Sequence, residues 1–245
     1  MRLDEEYCLS EYVDLGRLGD NEKVHIVRNQ VNGVIGVRKY VALDLEEIYL
    51  FLKENPNAYI PKIYECIQTD TNLIVIEEYL SGKNLEEMLK EKYFSEKDAA
   101  DIIICLCNAL YPLHHAKMPV ICRDLKAENV ILTNEGEVKL VDFDIARIYQ
   151  PGKSKDTVMM GTQGYAAPEQ FGFGQTDART DIYAMGVLLN YMLVREFPME
   201  KLTEGKFRTI VLKCIKINPE DRYQNVDELK ADICNAAEIP CSSMD

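Results

Sequence analysis

Apolar and polar positions along the chain change period about a third of the way through. From Tyr12 to about Tyr79 the apolar residues alternate: Val24, Ile26 with Val27, then Val31, Ile35, Val37 and Val41 read as strands, with Asn32-Gly33 as a hairpin turn between two of them. Leu43 to Leu52 carries apolar residues at helical spacing and ends near Pro56. Ile63–Ile67 and Leu73–Ile76, joined by Thr69-Asp70-Thr71-Asn72, form a second hairpin pattern. The first 80 or so residues thus predict a small antiparallel sheet with one helix.

After Ser81-Gly82 the period lengthens. Leu85–Leu89 predicts a short helix, and Ser95-Glu96-Lys97-Asp98 is close to a capping box for a long helix reaching His114. Val130–Leu132 and Val138–Val141, separated by Asn134-Glu135-Gly136, predict a short hairpin. Asp181–Val194 is apolar on nearly all faces, which predicts a buried helix with Asp181 at its N-terminal end; Ile210–Ile217 and Val226–Ala237 close the chain as helices. The fold class expected is α+β, a sheet-rich lobe followed by a mainly helical one. A cleft between two such lobes is where ligands tend to bind.

Composition narrows the chemistry by exclusion. The 245 residues are 47% hydrophobic and 28% charged, an ordinary globular balance. Twenty-eight Lys and Arg against 41 Asp and Glu leave a formal charge of −13, which argues against a duplex nucleic-acid binder and against docking on an anionic membrane. The longest apolar run, Ile182 to Val194, is shorter than the roughly 20 residues a membrane span requires, so no membrane insertion of this chain is expected. The acidic start, Met1-Arg2-Leu3-Asp4-Glu5-Glu6, lacks the positive charge of a signal peptide. Eight cysteines show no CxxC pair and no histidine at zinc spacing. A cytoplasmic protein with buried thiols is the expectation.

The densest chemical signal is Cys122-Arg123-Asp124-Leu125-Lys126-Ala127-Glu128-Asn129, followed by Asp142-Phe143-Asp144. Phosphoryl transfer needs a carboxylate to orient the attacking hydroxyl, oxygen ligands for Mg²⁺, and cations to neutralise the moving group. This stretch supplies all three. The hairpin after Asn129 returns Asp142 beside it, so that an amide oxygen and a carboxylate can share a metal. A polar loop and an acidic hairpin end would be the bland reading of either triplet alone.

Together the two triplets resemble the H-R-D-x-K-x-x-N and D-F-G pair of eukaryotic-type Ser/Thr protein kinases, in a form similar to the compact bacterial ones. Other pieces follow in the family's order. Gly36-Val37-Arg38-Lys39 resembles the V-A-I-K strand, and Gly161-Thr162-Gln163-Gly164-Tyr165-Ala166-Ala167-Pro168-Glu169 resembles the G-T…A-P-E end of an activation segment. Asp181 with Gly186 resembles the start of the helix that anchors the catalytic loop, and Arg222 the arginine that pairs with Glu169. The resemblance covers about residues 10 to 235 and implies one bilobal kinase domain over 1–245. Its N-lobe would span about 1–78, its hinge about 78–82 and its C-lobe about 83–240.

The resemblance also implies roles. Asp124 would orient the substrate hydroxyl and Lys126 would steady the γ-phosphate of ATP. Lys39 would hold the α- and β-phosphates, with Asn129 and Asp142 on Mg²⁺. Glu77-Glu78-Tyr79-Leu80 resembles the hinge: backbone at Glu78 and Leu80 would bond adenine, Val24, Val37 and Ile131 would sandwich the ring, and Glu77 would sit at the gatekeeper position. The glycine-rich loop retains only Gly19. The helix partner expected for Lys39 is Glu47, with Glu46 as the alternative and both as solvated helix-face residues the bland reading. Lys126, two after the aspartate, follows the Ser/Thr pattern, so the implied substrate is a protein with Ser/Thr acceptors. Arg123 could pair with a phosphate on Ser154 or Thr157, implying autophosphorylation there.

Three departures stand against this. The loop is depleted in glycine, Cys122 replaces the histidine of H-R-D, and Asp144 replaces the glycine of D-F-G, a position where a side chain makes a left-handed backbone costly. The depleted loop and Asp144 favour an alternative reading, a pseudokinase acting as scaffold or nucleotide sensor; the intact Asp124, Asn129, Asp142 and Lys39 oppose it. A small-molecule phosphotransferase is the third, opposed by the 161–169 segment.

Overall fold

The computed structural model describes residues 3–19, 22–152, 160–172 and 174–241. Two compact units divide the chain between Ser81 and Gly82. The first carries an antiparallel sheet; the second is mostly helical, which makes the chain α+β.

In the first unit α1 (Leu3–Ser10) precedes β1 (Tyr12–Arg17), β2 (Val24–Asn29) and β3 (Ile35–Val41). A 3₁₀ turn at Leu43–Leu45 leads into α2 (Glu46–Glu54), then β4 (Ile63–Gln68) and β5 (Leu73–Glu78) follow. The sheet order is β1-β2-β3-β5-β4, antiparallel at every pairing. The β2–β3 turn closes through Asn29, whose side chain accepts from the backbone of Val31 and Asn32, while Gly33 takes φ +74°. Ile48, Tyr49 and Leu52 are the buried stripe of α2, which packs against β4. Each buried side chain of this size contributes about 1.5–3 kcal/mol relative to exposure. The helix starts later than its apolar pattern predicts because Leu43–Leu45 takes the tighter 3₁₀ form. The N-terminal helix α1 carries no periodic signal and was not expected.

The second unit opens with β6 (Gly82–Asn84), α3 (Leu85–Glu91) and α4 (Glu96–His114). The Ser95 hydroxyl accepts from Asp98 N–H and the Asp98 carboxylate accepts from Ser95 N–H, the reciprocal cap that the sequence pattern predicts. β7 (Val120–Ile121), a 3₁₀ turn at Ala127–Asn129, β8 (Val130–Thr133), β9 (Val138–Leu140) and β10 (Arg147–Ile148) surround the acidic hairpin. They form two small sheets, β6-β8-β9 and β10-β7. A 3₁₀ turn at Pro168–Phe171 is followed by α5 (Ala178–Val194), α6 (Lys206–Cys214) and α7 (Val226–Ala237).

Eleven residues of α5 are buried, so it forms the axis of this unit. It begins three residues before Asp181 because Asp177 caps it, accepting from Arg179 N–H. Asp181 therefore lies inside the first turn rather than at the cap. Similarly α6 starts at Lys206, after Gly205 at φ +69°, and not at Ile210. Among the described residues no helix is long and apolar enough to cross a membrane.

Candidate active site

Each unit carries its own set of candidate residues. In the first, strand register decides which side chains share a face. Val24 is the cross-strand partner of Lys39, Ile26 of Val37, and Val37 of Glu77. Directly opposed residues in an antiparallel pair point to the same face, and alternate residues along a strand do too. Val24, Val37, Lys39 and Glu77 are therefore neighbours on one side of the sheet. Lys39 Nζ lies 2.5 Å from Glu77 Oε1, with the two side chains 14% and 8% exposed.

The helix partner expected for Lys39 is Glu47. Glu47 is exposed on α2, whose packed face consists of Ile48, Tyr49 and Leu52; the alternative, Glu46, is half-buried beside it. A carboxylate on β5, that of Glu77, lies against Lys39. Spacing along a helix could not show this, because the pair is diagonal across two strands and visible only once their register is known.

At the strand end Glu78 donates its N–H to the carbonyl of Lys62, and its carboxylate accepts from Lys62 N–H; Leu80 is half-buried just beyond β5. Gly19 takes φ +67°, and no atom of the described residues lies within 4 Å of where its Cβ would stand, so conformation rather than space favours glycine there. Glu22 is exposed and 3.1 Å from Arg17.

In the second unit the 122–129 loop is shaped by a buried carboxylate. Asp181, fully buried, accepts from Cys122 N–H at 3.0 Å and from Arg123 N–H at 2.8 Å. His114 Nε2 stands 2.8 Å from the same carboxylate. Three polar contacts satisfy a charge that would otherwise be costly to bury. They also hold Arg123 at φ +68°, a conformation that non-glycine residues avoid. The Cys122 thiol is buried, and burial pushes its pKa well up, so it packs as a neutral group.

Downstream of that anchor, Asp124 is the centre of a network. Its Oδ2 accepts from Lys126 Nζ at 2.7 Å and from Asn129 Nδ2 at 3.0 Å, and its Oδ1 accepts from the Thr162 hydroxyl at 2.6 Å. Lys126 Nζ also reaches Thr162 Oγ1 at 3.1 Å. Asn129 Nδ2 additionally bonds the Asp124 carbonyl, so its amide nitrogen is committed and its oxygen is the atom it can offer a cation.

The hairpin brings Asp142 to that oxygen's neighbourhood through the backbone. Val130 pairs with Leu140, and Val141 N–H donates to the Asn129 carbonyl at 2.9 Å, placing Asp142 one residue beyond this rung. Asp142 stands at φ +70° and its Oδ1 accepts from Asp144 N–H. Left-handed backbone thus falls at Asp142 and not at Asp144, so the strain expected from replacing glycine does not arise. An amide oxygen and a carboxylate on adjacent rungs are hard donors of the kind Mg²⁺ takes alongside phosphate oxygens. Ile131 follows in β8, half-buried.

Two further residues were not singled out in the sequence. Gln170 is buried and donates from Nε2 to the carbonyls of Arg123 and Met160, both at 2.8 Å, while accepting from Ala167 N–H. His114 is the other; it lies 67 positions from Asp181, and no local pattern links them. Glu169 and Arg222 form a bidentate pair at 2.7 and 2.9 Å, with Thr180 also donating to Glu169. Arg123 Nη1 reaches the Ile145 carbonyl at 3.5 Å. Ser154 and Thr157 lie outside the described residues.

Comparison with known proteins bears on this geometry. A family model described as the protein kinase domain matches residues 29–238. A probable serine/threonine-protein kinase PknB of Corynebacterium glutamicum is 32% identical over 192 residues, covering 65% of this chain and 29% of that protein. Serine/threonine-protein kinase PknB of Mycobacterium tuberculosis is 28% identical over 272 aligned positions, with 94% of this chain and 43% of that protein covered. A receptor-like cytoplasmic serine/threonine-protein kinase of Gossypium barbadense is 32% identical over 157 residues, covering 62% and 34%. The chain thus spans less than half the length of these curated relatives.

Proposed function

The chain belongs to the protein kinase domain family, and from that membership we propose that it transfers the γ-phosphoryl group of ATP to Ser or Thr hydroxyls of protein substrates in the cytoplasm. The observation that carries the proposal is the network on Asp124. A carboxylate held by Lys126, Asn129 and Thr162 is fixed in direction, which is what orienting an incoming hydroxyl requires.

Asp124 accepts the hydrogen bond of the substrate hydroxyl and takes its proton as that oxygen bonds to the γ-phosphorus and the bond from the γ-phosphorus to the β–γ bridging oxygen breaks, releasing ADP. Lys126 places its ammonium where charge builds on the moving phosphoryl group, so its attraction grows toward the transition state. Asn129 Oδ1 and the Asp142 carboxylate would hold Mg²⁺, which would supply positive charge to offset that of the phosphates. Lys39 offers its ammonium to the α- and β-phosphates, Val24 and Val37 on the same sheet face give the adenine ring an apolar surface, and Ile131 is the apolar residue that β8 offers to the nucleotide. Backbone groups of Glu78 and Leu80 give it polar edges. With a single glycine in the 17–24 segment, side chains obstruct the close approach of backbone amides to phosphate, so modest ATP affinity is expected.

The bacterial and plant relatives named as serine/threonine-protein kinases support the acceptor class, as does Lys126 two residues after Asp124. Thermal shift with Mg-ATP tests the binding half of the proposal. The wild type should gain stability, and Lys39→Met and Asp142→Asn should gain less. No shift for the wild type at saturating nucleotide would overturn it.

A further inference from the structure

We propose that Glu77 is the positioning residue for Lys39, doing from within the sheet what a helix-borne glutamate was expected to do. The inference rests on the phosphoryl-transfer reading, which gives Lys39 its task, and concerns how that task is secured. β3 and β5 are hydrogen-bonded along Gly36–Val41 and Leu73–Glu78, so both partners ride on one rigid ladder. Val37 opposes Glu77 and Lys39 opposes Val75, which sets the ammonium and the carboxylate on a cross-strand diagonal within reach of each other. Both side chains are largely withdrawn from water, where an ion pair is screened little and the loss of one partner leaves a buried charge. Val75 is fully buried, and Val37 nearly so, and they wall the pair on the same face.

The consequence is mechanical. A lysine whose carboxylate sits on a helix is aimed only when that helix is docked, whereas Lys39 is aimed by the sheet itself. Glu46 and Glu47 on α2 are then dispensable for placing the ammonium.

Lysine acylation read by mass spectrometry tests this without relying on catalysis. A small activated ester reacts with the unprotonated amine, and an ion pair suppresses that form. At one mildly alkaline pH, Glu77→Gln should raise the acylation rate of Lys39 by about tenfold, because the carboxylate that holds the ammonium proton is gone, and Glu47→Gln should leave it unchanged. Glu77→Gln should also raise KM for Mg-ATP more than it lowers kcat. Should Glu77→Gln unfold the protein, a melting cycle of Lys39→Met, Glu77→Met and the double variant replaces it; the pair predicts that the double variant melts above Glu77→Met. An acylation rate that rises with Glu47→Gln and not with Glu77→Gln, or with neither, overturns the assignment. If acylation responds as expected while the wild type transfers no phosphate, the assignment of Glu77 stands and the kinase activity is what fails.

Discussion

Thr162 donates its hydroxyl to Asp124 Oδ1 at 2.6 Å, across 38 positions of sequence, so the segment leading to Glu169 is fastened to the carboxylate of the 122–129 loop. The same hydroxyl oxygen lies 3.1 Å from Lys126 Nζ and thereby closes a three-membered network. Removing it should free the carboxylate to rotate. Thr162→Val, close in shape, should lower kcat about 100-fold with KM for ATP little changed. Thr162→Ser should remain within about threefold of wild type. Steady-state kinetics on both variants check this, and a Val variant as active as wild type would remove Thr162 from the account.

Arg222 and Glu169 are a different kind of pair, chosen by burial rather than by chemistry. The guanidinium is fully buried and also donates to the carbonyls of Lys216, Ile217 and Arg179. Arg222→Met leaves a buried carboxylate without its cation and should cost about 3–5 kcal/mol. The double variant with Glu169→Leu should recover part of that loss. Urea denaturation measures both, and equal stability of Arg222→Met and wild type would contradict it.

Gly186 faces Cys214 across the α5–α6 packing. A Cβ on Gly186 would sit 2.2 Å from the Cys214 Cβ, which real contacts do not allow. Gly186→Ala should therefore destabilise by about 1–3 kcal/mol through overpacking. Adding Cys214→Gly should relieve the clash, so that the two changes are less than additive in a melting cycle.

The Cys66 thiol gives the alkaline behaviour a sign. Burial pushes its pKa from 9.0 up to about 11, with Lys53 opposing the shift. Below about pH 9 the thiol is protonated in both folded and unfolded chains and has no effect. As pH rises from 9 toward 11 the unfolded chain ionises first, so folding stability falls. Melting temperatures of wild type and Cys66→Ala should run parallel below pH 9, and the wild type should fall faster above it.

Much of this was readable in the chain itself, and what was not has physical reasons. Local patterns were legible: the Ser95–Asp98 cap, the Asn134-Glu135-Gly136 turn with Gly136 at φ +86°, and the buried face of α5 each depend on neighbours a few residues apart. The grouping of Asp124, Lys126 and Asn129 was legible for the same reason. Contacts set by register or by tertiary packing were not. Lys39 finds Glu77 only through the β3–β5 ladder, and Asp181 finds His114 only because α4 and α5 pack together. Gln170 reads in the sequence as an ordinary polar residue after Glu169; only the folded chain buries it and sets its amide to donate to the carbonyls of Arg123 and Met160.

Labelled phosphate from γ-labelled Mg-ATP, followed into serine and threonine by acid hydrolysis, probes the central claim without intermediaries. The account predicts incorporation by the wild type, and loss to background in Asp124→Asn and Asp142→Asn. Counts that are the same in all three proteins would contradict it, leaving a nucleotide-sensing scaffold in the place of an enzyme.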